Sequence, residues 1–102
     1  MFTEVISTEA VPQGSNKAVD VQGRTLLVCH TTKGYFVSEA ECPHQKQSLE
    51  GGRMKAHFLF CPLHGLRIDL TNGEPRGRLT DNCLQVYPTK IEDDMVCADL
   101  GN

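Results

Sequence analysis

Apolar and polar positions along this chain fall into short stretches separated by turn formers every eight to twelve residues. Phe2 to Ser7 begins the pattern with Phe2 and Val5-Ile6, and Pro12 to Asn16 follows as a loop. Ala18 to Val21, Arg24 to His30 and Gly34 to Val37 read as strands joined at Gln22-Gly23 and Thr32-Lys33-Gly34, the pattern of consecutive hairpins. Residues 42 to 57 carry little periodicity and read as a loop. Phe58-Leu59-Phe60 is a buried strand running straight into Cys61, and Cys61 to Gly65 is a second loop. Leu66 to Leu70 returns as a strand before the turn Thr71-Asn72-Gly73. Glu74 to Asn82 is polar and irregular. Leu84 to Lys90 alternates, Glu92-Asp93-Asp94 turns, and Met95 to Asp99 closes the chain as a strand. No window long enough for a helix carries a helical period. The expected fold is all-β, an antiparallel sandwich or barrel.

Composition removes several function classes. The 102 residues suit one domain spanning 1–102. With 39% apolar and 23% charged residues, the chain is neither disordered nor fibrous. Apolar runs such as Leu26 to Cys29 and Phe58 to Cys61 reach four residues, against about 20 for a membrane helix. The opening MFTEVIS lacks the basic start and apolar stretch of a secretory signal, so a cytoplasmic protein is expected. Ten basic residues against thirteen acidic ones, with no basic block, argue against nucleic acid as a partner. Five cysteines are many for a chain in a reducing compartment, and their odd number forbids a fully paired disulfide set. Cysteine in that setting more often serves metal binding or catalysis.

Two loops concentrate the candidate chemistry. Cys42-Pro43-His44 and Cys61-Pro62-Leu63-His64-Gly65 each supply one thiol and one imidazole, with sixteen residues between His44 and Cys61. A proline stiffens the backbone after each cysteine. Two sulfur and two nitrogen donors suit zinc or iron–sulfur chemistry. A zinc finger would pair its cysteines in one knuckle and its histidines on a helix. Here the order is Cys, His, Cys, His, no helix follows, and Cys-x-His is tighter than the usual zinc spacing. Cysteines and histidines merely scattered through a core would not repeat a Cys-Pro loop.

This double motif resembles the ligand motif of Rieske proteins. Nearly the whole chain resembles the small Rieske ferredoxins of bacterial aromatic-ring-hydroxylating dioxygenase systems. The resemblance implies that Cys42 and Cys61 bind one iron of a [2Fe–2S] cluster and that His44 and His64 bind the other. It implies an antiparallel β-sandwich with a small cluster-binding subdomain at one tip, about residues 40 to 70. It also implies a soluble, monomeric one-electron carrier between a flavin-dependent reductase and a terminal Rieske non-haem iron oxygenase. Two thiolates balance the charge of the oxidised core, so an added electron meets a neutral site rather than the anionic one that four thiolates make, and the potential rises.

Departures from the high-potential respiratory Rieske proteins set a further expectation. Their loop-linking disulfide would occupy the positions of Gln47 and Leu63, and their serine and tyrosine donors to sulfur the positions of Leu66 and Ile68. Fewer donors leave the reduced state less stabilised, so a low-potential centre is expected. Relatives often place a proline loop over the cluster where this chain has Gly73 to Asn82, with Pro75 and Arg76-Gly77-Arg78.

The remaining cysteines, Cys29, Cys83 and Cys97, read as buried, and His30 and His57 as solvated or hydrogen-bonded. The acidic set Glu39, Glu41, Glu50, Asp93 and Asp94 reads first as solvated surface, and second as a field for steering a basic partner. A terminal oxygenase would need a second iron site in a large further domain, which 102 residues do not provide. The alternative role is the small Rieske-like subunit of a nitrite reductase, either electron-transferring or regulatory and structural.

Overall fold

The computed structural model describes residues 1–42, 48–62, 66–76 and 83–101. Strands β1 (Phe2–Ser7), β2 (Asn16–Val21), β3 (Arg24–Thr31) and β4 (Gly34–Glu39) precede the first motif. The short strands β5 (Met54–Lys55), β6 (Phe58–Phe60), β7 (Arg67–Asp69) and β8 (Pro75–Arg76) surround the second. Then come β9 (Val86–Tyr87), β10 (Thr89–Glu92) and β11 (Met95–Asp99). They form three antiparallel sheets, ordered β1-β11-β10, β2-β3-β4-β9 and β5-β6-β7-β8. The all-β antiparallel expectation holds, with one unforeseen short 3-10 turn at Thr8–Ala10.

Strand β3 explains the layering. Leu26, Leu27, Val28 and Cys29 are all fully buried, so both faces of this strand are covered. Side chains alternate along a strand, so successive residues serve opposite cores. Leu26 and Val28 join Val37, Val96 and Ala98 in one core, against the β1-β11-β10 sheet. Leu27 and Cys29 join Leu59, Ile68 and Leu84 in the other, against the β5–β8 sheet. Burying each such leucine contributes about 1.5–3 kcal/mol. The second core is the one that receives both motif cysteines.

Turn chemistry fixes the registers. Gln22 and Gly23 both take positive φ between the paired Val21 and Arg24, as do Asp93 and Asp94 between Glu92 and Met95. Two such residues in succession make the tight hairpin turn whose twist matches that of the strands. Leu84 to Lys90 is not one strand. It divides at Pro88, which has no N–H to give a ladder. β9 pairs with β4 in the central sheet, whereas β10 pairs with β11 in the outer one, so Pro88 marks the crossing. Pro75 lies in β8, the edge of its sheet, paired with Ile68. An edge tolerates the missing donor. The rest of the expected proline loop, residues 77–82, lies outside the described residues.

Candidate metal centre

Each motif cysteine stands at the root of a loop closed by backbone pairing. Cys42 follows β4. Glu41 and Ser48 form an antiparallel bridge across residues 42–47, and the Leu49 N–H donates to the Ala40 carbonyl at 2.7 Å. Cys61 continues β6, and its N–H donates to the Leu66 carbonyl at 2.9 Å, extending the β6–β7 hairpin by one step. Gly52 allows close packing behind this hairpin, because a Cβ there would collide with the Phe60 carbonyl.

The two cysteines meet in one core. Cys42 is 1% exposed and Cys61 2%, and both pack in the cluster containing Leu27, Leu49, Leu59, Leu66 and Leu84. No disulfide engages any of the five cysteines. Two thiols buried from water in one apolar core, each flanked by backbone pairing, fit a sulfur-ligated iron centre. His44, His64, Gln47 and Leu63 lie outside the described residues. Leu66 and Ile68, the positions expected to lack donors to sulfur, are buried and apolar.

The other cysteines divide. Cys29 is fully buried in the same core as Cys42 and Cys61, and burial pushes its thiol up to about 12. Cys97 is also buried, and burial, with Glu4 and Glu92 nearby, raises its thiol. Cys83 is exposed, contrary to expectation. Its neighbour Leu84 takes the inward position, anchored where the Leu84 N–H donates to the Gly73 carbonyl at 2.8 Å.

His30 and His57 are engaged, as the sequence suggested. His30 Nδ1 lies 2.8 Å from the Val11 carbonyl, and its ring stacks on Tyr35 at 3.9 Å. His57 Nε2 lies 3.7 Å from Asp69 Oδ2. Two members of the acidic set cap backbone donors rather than standing free. Glu39 accepts from the Gln85 N–H at 3.0 Å, and Glu50 from the Ala18 N–H at 2.7 Å.

Sequence reading missed Asp69, a buried carboxylate on β7 that ties down the sheet behind Cys61. It accepts from the Thr71 N–H at 2.9 Å and hydroxyl at 2.6 Å, and meets Arg76 at 3.3 Å. Burial pushes its carboxyl up, but the Thr71 and Arg76 hydrogen bonds and nearby His57 outweigh this and hold it below the usual range. A carboxyl lowered in the folded state stabilises above its unfolded pKa, about 3.9, and loses that contribution as pH falls through the folded value. Asp69→Asn should therefore cost about 1–2 kcal/mol at neutral pH. In denaturant unfolding the deficit should shrink as the pH drops below about 4. A deficit that stays constant into acid would contradict this role.

The chain belongs to the Rieske [2Fe-2S] domain family, which matches residues 1–88, and it therefore carries a Rieske-type [2Fe–2S] cluster. Among curated relatives, it is 27% identical over 101 residues to the biphenyl dioxygenase ferredoxin subunit of Pseudomonas sp. (strain KKS102), covering 98% of this chain and 93% of the relative. It is 25% identical over 100 residues to the ferredoxin component of the naphthalene 1,2-dioxygenase system of Pseudomonas aeruginosa, covering 98% and 96%. Its fold matches the solved ferredoxin of Sphingomonas yanoikuyae B1 with a TM-score of 0.87 at 26% identity, covering 97% of this chain and 98% of that one.

Proposed function

We propose that this protein is the one-electron carrier of a multicomponent oxygenase system, taking electrons from a flavoprotein reductase and delivering them to a terminal ring-hydroxylating oxygenase. The observation that carries the reading is the pair of cysteines, Cys42 and Cys61, buried in one apolar core at the roots of two closed loops. Curated relatives of nearly the same length are ferredoxin components of dioxygenase systems, which favours this role over that of a nitrite reductase subunit.

In this reading Cys42 and Cys61 hold one iron, and His44 and His64 hold the other. The cluster-binding subdomain of about 40 to 70 lies within the single domain 1–102, and its sheet continues to Arg76. When bound, the cluster supplies one-electron oxidation and reduction. The protein supplies the rest: Leu49, Leu59 and Leu66 keep water from the thiol side, and the two hairpin closures hold the cysteines in place. In this reading the protein performs no substrate chemistry of its own. Among the described residues no helix is long and apolar enough to cross a membrane. A cytoplasmic monomer completes the reading.

Reconstitution with candidate reductases and oxygenases tests it. Product formation should require all three components, and substrate should stay unconverted without this one. Voltammetry should place the centre at the low end, near about −150 mV, of the −150 to +300 mV Rieske range, because Leu66 and Ile68 give no side-chain hydrogen bond to sulfur. Failure to accept electrons from any flavoprotein reductase, or a potential in the upper half of that range, would refute it.

A further inference from the structure

The outer face of the β5–β8 sheet is a cationic, aromatic surface beside the second cysteine loop. Register places Phe60, Arg67 and Arg76 in one row across β6, β7 and β8, and a backbone hydrogen bond adds Arg53, the residue before β5, to its end. Phe60 pairs with Arg67 and Arg67 with Arg76, and the Phe60 N–H donates to the Arg53 carbonyl at 2.8 Å. This row lies one register step from the closure between Cys61 and Leu66. In the row behind it are Lys55, Phe58 and Asp69.

Among the described residues, the charge on this face is only partly neutralised. Arg76 meets Asp69 at 3.3 Å and Glu74 at 4.0 Å. Arg53, Lys55 and Arg67 are exposed and have no carboxylate within ion-pair distance among the described residues. Arg53 instead lies over the Phe60 ring at 5.7 Å, and Arg67 over the Phe58 ring at 5.0 Å. A guanidinium resting on an aromatic ring keeps its N–H edge outward and has lost little freedom still to lose on pairing with a carboxylate. Arg67 faces Arg76 across the sheet, and the Asp69 and Glu74 carboxylates beside Arg76 compensate that charge, so the cations left over for a partner are Arg53, Lys55 and Arg67. All this sits on a chain whose formal net charge is −3.

The geometry points to this arginine row as a docking surface for a carboxylate-rich patch on the protein with which this chain exchanges electrons. The inference rests on the carrier reading. Charge complementarity selects the partner: an acidic protein surface meets three cations with planar or extended donors, next to the loop rooted at Cys61. Attraction of this kind raises encounter rates and orients the partner before contact, and salt screens it.

The test uses the holoprotein with the reductase and oxygenase that reconstitute turnover. Stopped-flow rate constants are measured from low salt to about 0.5 M, where the screening length falls to a few ångström. For at least one partner the wild-type rate should fall as salt rises. Arg53→Gln/Arg67→Gln should lower it about tenfold at low salt and converge with wild type at high salt. Arg53→Lys/Arg67→Lys, which keeps the charge, should retain most of the rate. A change in the redox centre itself would persist at every salt concentration. Equal rates for wild type and the glutamine variant with both partners, or a deficit that salt does not remove, would overturn the docking surface while leaving the carrier role intact. A wild-type protein that neither partner reduces or oxidises would defeat the carrier reading and the inference with it. Stoichiometric self-association of the wild type that the glutamine variant abolishes, with no change in partner rates, would assign the face to a second copy and overturn the inference.

Discussion

Cys61→Ser is expected to leave the protein without its iron. A serine hydroxyl is a hard donor that stays protonated at neutral pH, whereas iron in an iron–sulfur site is held by thiolate. The residue is 2% exposed at the end of β6, so no water is at hand to replace the lost ligand. The apoprotein would also bury a hydroxyl in an apolar core, at a cost of about 1–3 kcal/mol if it finds no partner. Wild-type protein should contain about two irons and two sulfides per chain. The variant should lose both, together with the visible absorption. Cys29→Ala is the internal comparison. Cys29 is fully buried in the same core, but on β3 rather than at a loop root, and burial drives its thiol up to about 12. Its replacement should keep the iron at a stability cost of about 1 kcal/mol. Retained colour in Cys61→Ser, or lost iron in Cys29→Ala, would contradict the assignment.

Gly73→Ala is expected to give a large loss of stability. Gly73 takes φ +80, a conformation that costs a side-chain-bearing residue about 1–2 kcal/mol. It also lies so close to the Leu84 carbonyl that a Cβ would overlap it. Backbone cannot yield as a flexible side chain does, and overpacking of this kind adds about 1–3 kcal/mol. The segment must shift, and with it Leu84, which packs in the core with both motif cysteines. A thermal midpoint lowered by at least about 8 °C should follow. Gly14 has a similar φ of +91, and the methyl that alanine adds there would meet nothing within 4 Å, so Gly14→Ala carries only the conformational cost. Equal losses at the two positions would show that the approach to Leu84 carries no cost.

The readability of this fold followed the length of its elements. β2, β3 and β4 are legible because six to eight residues give each a clear apolar stretch and because Gln22-Gly23 and Thr32-Lys33-Gly34 mark the hairpins between them. β5 and β8 have two residues each, too few for any period, and they contain Lys55, Pro75 and Arg76, which suggest loop. The break at Pro88 was hidden because apolar alternation continues across it while the pairing partner changes from β4 to β11. Cys83 was misplaced for a related reason, since an apolar neighbourhood does not say which of two adjacent residues faces inward.

The candidate site was legible in its donors and less so in its surroundings. Two Cys-Pro loops with nearby histidines are a local signal, and the structure adds that Cys42 and Cys61 share a core. Asp69 and the arginine row were invisible because cross-strand neighbours are distant in sequence. Arg53 meets Phe60, and Arg67 meets Arg76, only through sheet register.

The most direct measurement is pulsed electron paramagnetic resonance of the reduced protein with histidine labelled uniformly by nitrogen-15. Ligation by Cys42, His44, Cys61 and His64 requires hyperfine coupling to two histidine nitrogens, with one lost in His44→Cys or His64→Cys wherever the centre still assembles. A wild-type spectrum with no coupled histidine nitrogen would mean a centre held by other ligands, and would contradict the account at its root.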